Sequence, residues 1–195
     1  WSFDGQAGDL LTVAAEYPGG LPAYTQQRYT VYRPGGAELG NFTTPWVNAI
    51  TYTAQSAPLT LLESGRYTVK VSPVDDYQGE YQLRATTVTP PVQMETEAND
   101  TLATANALAF VPDGNNSAAT VVGYIRTLAD LDYYRLGSIT NDQVVLLTTR
   151  LPSPSGLNPN VALYNSAGQY MAEALGGRDN DGIAEVWITQ PDTYY

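Results

Sequence analysis

The sequence contains no cysteine and no histidine, which excludes several classes of functional site. Disulfides cannot form, and zinc or copper sites are implausible without thiolate or imidazole ligands. Catalysis by a Ser–His or Cys–His pair is excluded for the same reason. The glycine patterns of phosphate-binding and dinucleotide-binding loops are missing, and nothing singles out a pair of carboxylates of the glycosidase kind. We therefore expect a protein that is not an enzyme.

Positive charge is scarce, because Lys70 is the only lysine and the formal net charge is -11. Such a surface repels phosphate backbones and acidic lipid headgroups, so nucleic acid and acidic membranes are poor candidates for partners. Divalent cations are better candidates. No apolar run approaches the roughly eighteen residues needed to span a bilayer. The sequence therefore predicts no membrane insertion.

Short strands and turns dominate what the sequence does contain. Tyrosine, valine, leucine and threonine are plentiful, and 17 glycines and 13 prolines accompany them, which favours many short strands joined by turns. Segments of five to eight residues, most of them alternating between apolar and polar positions, predict strands at 10–16, 66–72, 79–86, 119–125, 143–149 and 184–189. Turn signals lie between them at 34–36, 75–79, 112–116 and 179–182.

An internal repeat indicates that one domain occurs twice. The segment "YTVYRPGGAEL" (29–39) matches "VALYNSAGQYM" (161–171), which aligns Tyr32 with Tyr164 and Gly36 with Gly168. Upstream, "WSFDGQAGDLLTVAAE" matches "YRLGSITNDQVVLLTT", which pairs Asp9 with Asp142, Leu11 with Val144 and Val13 with Leu146. Downstream, Tyr67 aligns with Tyr194. Three matches in the same order predict two copies of one fold.

The predicted boundary lies in "VTPPVQM" (88–94), where two prolines deny ladder hydrogen bonds and stiffen a connector. We predict an all-β protein with two tandem antiparallel β-sandwich domains of jelly-roll type, at 1–88 and 89–195. The first lacks its N-terminal segment and the second lacks its last strand or strands. The chain is therefore expected to be an excerpt from a longer protein, or to receive the missing strands from neighbouring molecules.

Two acidic segments predict a calcium site. In "METEANDTLATAN" (94–106), Glu95, Glu97 and Asn99 share one side of an extended chain, and "LADLDYY" (128–134) repeats the spacing at Asp130 and Asp132. Calcium takes six to eight oxygen ligands in flexible geometry. Five carboxylates and one amide would place about five negative charges together, which two adjacent ions would balance better than one. The candidate ligands are Glu95, Glu97, Asn99, Asp100, Asp130 and Asp132.

A purely structural role is the alternative for these residues. Asn99 or Asp100 could cap a short helix over 101–107, with the glutamates solvated ahead of it. The segment "RDNDGI" (178–183) does not fit a calcium-binding EF-hand, since its twelfth loop position would be Ile188 instead of Glu. A hairpin turn at Asp181 and Gly182 is favoured there. Asp179 is an unsupported candidate for an additional metal ligand.

The four segments "ETEANDTLATANAL", "GYIRTLADLDYYRL", "NPNVALYNSAGQ" and "DNDGIAEVWITQPDTYY" resemble the bacterial pre-peptidase C-terminal domain. That family is a β-sandwich relative of the collagen-binding domain of clostridial collagenases. The resemblance covers 95–195, and residues 1–88 share only the later strands. It implies that Glu95, Glu97, Asn99, Asp100, Asp130 and Asp132 bind one or two Ca²⁺ ions, and that the first copy has no equivalent site.

These observations predict a non-catalytic, extracellular or cell-surface module of a larger protein, stabilised by calcium and acting in adhesion or structural assembly. The expected partners are other copies, adjacent domains of a longer chain, or an extracellular polymer. One alternative is a subunit of a filament or surface layer built by strand donation. Another is the accessory C-terminal region of a secreted peptidase.

Overall fold

The computed structural model describes residues 1–17, 26–44, 52–74, 80–126, 129–151, 157–175 and 182–195. The turn signal at 75–79, most of the one at 179–182, and Asp179 lie outside these ranges. The described residues form strands and turns and contain no helix, so the predicted all-β class is confirmed. The strands are β1 (Ser2–Gly5), β2 (Leu10–Tyr17), β3 (Gln27–Tyr32), β4 (Glu38–Thr43), β5 (Tyr52–Gln55), β6 (Leu59–Thr60), β7 (Gly65–Pro73), β8 (Gln82–Val88), β9 (Gln93–Met94), β10 (Asn106–Ala107), β11 (Val111–Asp113), β12 (Asn116–Ala118), β13 (Val121–Val122), β14 (Tyr134–Arg135), β15 (Gly137–Ile139), β16 (Val144–Thr148), β17 (Asn160–Tyr164), β18 (Tyr170–Leu175), β19 (Ile183–Trp187) and β20 (Asp192–Tyr194).

Most of the predicted strands form close to the predicted positions. The predictions at 10–16, 66–72, 143–149 and 184–189 are confirmed by β2, β7, β16 and β19. The turn predicted at 112–116 is confirmed as the connection between β11 and β12. The prediction at 119–125 is too long, because only β13 forms there. Its apolar run suits a strand, but its partner β9 has only two residues with which to pair.

Contacts divide the chain into two units, Trp1–Glu97 with Ala109–Asp130, and Ala98–Leu108 with Leu131–Tyr195. The first unit contains two four-stranded antiparallel sheets, together with the antiparallel pair β11 with β12 and the parallel pair β9 with β13. One has the order β1-β7-β3-β4, and in the other β2 lies between β8 on one side and β5 and β6 on the other. Strands of both sheets supply the core, whose fully buried members are Leu11, Val13, Ala15, Tyr29, Val31, Leu61, Tyr67 and Val69.

The second unit is built from three antiparallel strand pairs, β15 with β20, β16 with β19, and β17 with β18. A short parallel pair, β10 with β14, accompanies them. The core cluster of the second unit contains Leu163, Val186, Ile188 and Tyr194. Val145 and Leu147 of β16 pack against this cluster from the side of the strand that faces inward.

The hairpins β3–β4 and β17–β18 have the same turn, at positions 132 residues apart. In the first hairpin, Arg33 N donates to Ala37 O and Gly36 N donates to Arg33 O, each at 2.8 Å. In the second, Asn165 N donates to Gln169 O at 3.1 Å and Gly168 N donates to Asn165 O at 3.0 Å. Gly36 and Gly168 have φ of 84° and 74°, a region that glycine enters without steric cost. The pairing also shifts register at the same place in both hairpins, between Val31/Tyr32 and Leu163/Tyr164.

A second shared feature is a buried tyrosine whose hydroxyl closes a loop. Tyr67 Oη donates to Glu63 O at 2.7 Å, and Tyr194 Oη donates to Gln190 O at 2.8 Å, four residues back in each case. Both side chains are almost completely buried, at 0% and 1% exposure. A buried hydroxyl requires a partner, so the loop carbonyl and the core ring stabilise each other.

The predicted alignment of β2 with β16 is wrong by one residue. Leu11 and Val13 are completely buried, whereas Val144 and Leu146, which were aligned with them, are 46% and 60% exposed. Because side chains alternate along a strand, a shift of one residue exchanges the inward and outward sets. Val145, not Val144, occupies the inward position that corresponds to Leu11.

The turns before these two strands establish the corrected register. Gly8 N donates to Leu61 O at 2.8 Å, and Asp142 N donates to Ile188 O at 2.9 Å. Gly8 and Asp142 also both have positive φ, 91° and 63°. The two positions are 134 residues apart, one more than the alignment of Asp9 with Asp142 requires.

Candidate metal centre

Two short strands bring the acidic segments of the sequence side by side. β9 and β13 pair in parallel, with Gln93 opposite Val121 and Met94 opposite Val122. The bond from Glu95 N to Val122 O, at 3.1 Å, continues this pairing. Parallel strands run in the same direction, so the residues that follow β9 and those that follow β13 leave the pair at the same end.

Glu95 is buried and accepts hydrogen bonds from the polypeptide. The residue is only 1% exposed. Its carboxylate oxygen Oε1 accepts hydrogen bonds from Tyr124 N at 2.7 Å and from Gln55 Nε2 at 3.4 Å. Bonds from a backbone amide to a carboxylate are charge-assisted and offset the cost of burying the charge. Glu95 therefore fixes the chain after β13 against the end of β5.

Arg126 forms ion pairs with two of the candidate ligands. Its Nε lies 2.9 Å from Glu97 Oε1 and 3.4 Å from Asp130 Oδ2, and its Nη2 lies 3.5 Å from Asp130 Oδ1. The backbone N–H of Arg126 also donates to Asp130 Oδ2. Asp130 is buried, and the side chain of Arg126 is only 28% exposed. The guanidinium thus supplies positive charge inside a partly buried acidic group.

Asn99 and Asp100 connect the first acidic segment to the chain around Asp132. Tyr133 N donates to Asn99 O at 3.0 Å, and Leu131 N donates to Asp100 Oδ1 at 3.4 Å. The Asp100 carboxylate therefore contributes a hydrogen bond to the chain beside the acidic group. The backbone of Asn99 is joined to the residue that follows Asp132.

The helix considered for 101–107 does not form. Residues 101–104 make one turn, in which Thr104 N donates to Thr101 O at 3.0 Å, and β10 starts at Asn106. The two threonine hydroxyls lie 2.8 Å apart and satisfy the ends of this turn. Thr101, rather than Asn99 or Asp100, supplies the local side-chain bond to the turn. Threonine hydroxyls make such local bonds readily, which favours a turn over a helix here.

The side-chain amide of Asn99 is completely buried and has no hydrogen-bond partner for either Oδ1 or Nδ2 within the described ranges of the chain. A buried amide left in this way costs about 1–3 kcal/mol. Native structures rarely retain such a cost without a reason, and an ion or water that completes the site is a common one. A bound ion or water would supply the partner that the Asn99 amide lacks.

Glu97, Asp130 and Asp132 form the acidic group itself. Each offers one carboxylate oxygen, and these oxygens lie within 4.8 Å of one another. Two oxygens that bind one Ca²⁺ at about 2.4 Å can lie at most roughly 4.8 Å apart, so the spacing fits a shared calcium ion. With Arg126 counted, three negative charges and one positive charge leave a local charge of −2, which one divalent cation neutralises.

The six predicted ligands therefore have different positions. Glu97, Asp130 and Asp132 come together, Asn99 is a buried amide two residues after Glu97, and Glu95 and Asp100 accept backbone hydrogen bonds. Sequence reasoning did not identify Arg126. Its position four residues before Asp130 was the available signal, because an Arg and an Asp close in the chain readily form an ion pair.

No helix in the described ranges is both long enough and apolar enough to cross a membrane. Comparisons of the chain with protein families, with curated proteins and with solved structures found no match.

Proposed function

We propose that this chain is a non-catalytic, extracellular β-sandwich module of a larger secreted or surface protein, and that it binds calcium through Glu97, Asp130 and Asp132. The observation that carries the proposal is the close approach of these three carboxylates. Asn99 Oδ1 is the fourth candidate ligand, and water would complete the six to eight oxygens that calcium takes. The resemblance of 95–195 to the pre-peptidase C-terminal domain supports the same assignment.

The charge of the group supports one ion rather than two. Arg126 already pairs with Glu97 and Asp130. Glu95 and Asp100 are not members of the group of three carboxylates, so their negative charges are not counted in it. A second divalent ion would therefore leave an excess of positive charge. The proposal accordingly differs from the two-ion expectation derived from five carboxylates.

The same charge balance favours an extracellular role. Calcium affinity rises with the number of ligand charges, and extracellular modules bind calcium with dissociation constants of about 10⁻⁴–10⁻³ M. Three carboxylates opposed by one guanidinium predict an affinity in that weak range. Such a site would fill where calcium is millimolar and remain empty at cytosolic concentrations.

Thermal unfolding with and without calcium tests the proposal. At ten times the dissociation constant, one bound ion adds about 1.4 kcal/mol of stability, which raises Tm by roughly 3–6 °C in a chain of this size. Asp132→Asn should abolish the shift. Asp113→Asn, which removes the same charge from an exposed position on β11, should retain it. Identical melting curves in EGTA and in millimolar calcium would refute calcium binding.

Assembly is the second candidate function, and the second unit contains the observation that favours it. β2 is hydrogen-bonded on both edges, whereas β16 pairs only with β19 within the described ranges. The outward side chains Val144, Leu146, Ile183 and Trp187 of β16 and β19 are also exposed. An open strand edge beside exposed apolar side chains is typical of a surface that another chain or domain covers.

A further inference from the structure

The second unit has an apolar sheet surface made by the outward side chains of β16 and β19. Val144, Leu146, Ile183 and Trp187 are 46%, 60%, 68% and 61% exposed, and we call these four residues the outer face. One exposed carboxylate, Glu185, lies opposite Leu146 on the same side of the sheet. Val144 lies directly opposite Trp187 in the strand pairing, so the two side chains share one surface. Single exposed apolar residues are common, but a contiguous group usually marks an interaction surface.

The corresponding surface of the first unit is covered by the chain itself. Ala14 of β2 points outward, since its neighbours Val13 and Ala15 lie in the core, yet it is only 6% exposed. Arg84 and Gln55 lie opposite Ala14 on the two adjacent strands and therefore share its face.

The cover comes from the segment that contains β9 and β13. The guanidinium carbon of Arg84 lies 3.8 Å from the centre of the Tyr124 ring, and Gln55 Nε2 donates to Glu95 at 3.4 Å. Tyr124 N donates to the same Glu95 carboxylate at 2.7 Å. The segment that contains Glu95 and Tyr124 therefore lies over Arg84, Ala14 and Gln55, and the bond between Tyr124 N and the Glu95 carboxylate joins its two parts.

The shared hydrogen bonds of the two units identify the outer face as the equivalent surface. Gly8 corresponds to Asp142, so Ala14, six residues later, corresponds to Thr148. Thr148 lies opposite Ile183, whose side chain is the most exposed of the outer face. The position that the first unit buries is therefore open in the second.

We propose that the outer face binds a further copy of the repeat, through a segment of the kind that runs from Gln93 to Tyr124. The first unit shows how such a segment lies on this surface. The partner is thus a domain of the same type, which presents a pair of short parallel strands and the acidic residues that follow them. Successive repeats would then be joined through the same side of the sheet, with different contact residues.

The composition of the outer face specifies the partner's contact residues. Leu146 and Ile183 are apolar where the first unit has Thr12 and Gln55. The bound segment should therefore present apolar side chains to them, in place of the Glu95 carboxylate that contacts Gln55. Unpaired carboxylates are costly to bury against apolar side chains.

A synthetic peptide of residues 89–126 with the substitution Glu95→Leu, which presents an apolar side chain in place of the carboxylate, is added to the full chain labelled with ¹⁵N in a titration followed by NMR. We expect saturable shifts at the backbone amides of Val144, Leu146 and Ile183 and at the indole N–H of Trp187. Leu146→Glu should weaken binding about tenfold or more, because the new carboxylate would be buried without a partner. Leu62→Glu is the matched control, since Leu62 is 61% exposed on the first unit, and it should leave binding unchanged.

Three results would overturn the proposal. They are equal affinity for the Leu146→Glu variant, shifts confined to other parts of the chain, and the absence of saturable binding up to about 1 mM peptide, which corresponds to about −4 kcal/mol. The titration is made in EGTA and again with calcium. Docking in either condition would support the proposal whether or not the chain itself binds calcium.

Discussion

Arg126→Gln separates the role of the guanidinium from that of a bound cation. The substitution retains an N–H donor of similar reach and removes the positive charge that lies 2.9 Å from Glu97 and 3.4 Å from Asp130. Without calcium, the two carboxylates would then lack their counter-charge. With calcium, the ion would replace it. The effect of the substitution should therefore depend on calcium.

The expected magnitude follows from distance and burial. Two unit charges 4 Å apart attract by about 4 kcal/mol at an effective dielectric constant of 20. The side chain of Arg126 is 28% exposed and that of Asp130 only 2%, so the interaction lies between an exposed pair, worth about 0–1 kcal/mol, and a buried one, whose disruption costs about 3–5 kcal/mol. We expect a loss of about 2–3 kcal/mol in chelator.

Urea unfolding of both proteins in EGTA and in millimolar calcium measures this difference. Calcium should recover about 2 kcal/mol more in the variant than in the parent, which corresponds to roughly thirtyfold tighter calcium binding. Arg66→Gln is the matched control, since Arg66 pairs with Asp4 at 3.4 Å while both side chains are more than 70% exposed. An equal loss in both conditions, or a loss no larger than that of Arg66→Gln, would refute the reasoning.

Two further predictions concern the second unit. Leu163 is completely buried in the core of this unit, so Leu163→Ala should lower the free energy of unfolding by about 2–5 kcal/mol, measured with urea. Leu146→Ala, at an exposed position, should change it by less than about 0.5 kcal/mol. Similar losses in the two variants would contradict the assignment of Leu163 to the core. A hydrogen bond with Ser166, assisted by the backbone N–H of Thr193, lowers the pKa of Asp192 below its ordinary value of 3.8. Because this pKa is lower in the folded state, the ionised carboxylate stabilises the fold at pH values above the pKa of the unfolded state. The contribution is lost as the pH falls through the pKa of the folded state. The Asp192→Asn variant should therefore have a lower free energy of unfolding than the parent at neutral pH, and the two values should converge in acid. A difference in unfolding free energy that stays constant over this pH range would exclude the carboxylate as the cause.

Local patterns were sufficient for the class of structure and for several of its parts. Alternation along 10–16 and 66–72 predicted β2 and β7, because half-buried strands require it. The alignment of Gly36 with Gly168 predicted equivalent turns, and both glycines adopt positive φ in the structure. The two acidic segments predicted a group of carboxylates, and Glu97, Asp130 and Asp132 do come together, whereas calcium binding stays a prediction.

The pairing of strands was beyond local pattern. The alignment of Leu11 with Val144 was wrong by one residue, because both β2 and β16 carry consecutive apolar residues and alternation alone does not distinguish their faces. Only the long-range bonds from Gly8 to Leu61 and from Asp142 to Ile188 establish which side chains face the core.

Composition and local patterns establish that this protein is rich in short strands, strongly acidic, and carries carboxylate and amide side chains close together in two segments. The tertiary structure establishes which of these acids meet. It brings Glu97, Asp130 and Asp132 together, directs Glu95 to Tyr124, and places Arg126 among the carboxylates. The physical reason is that strand alternation and composition act over a few residues, whereas the position of a charge depends on partners that are distant in the chain.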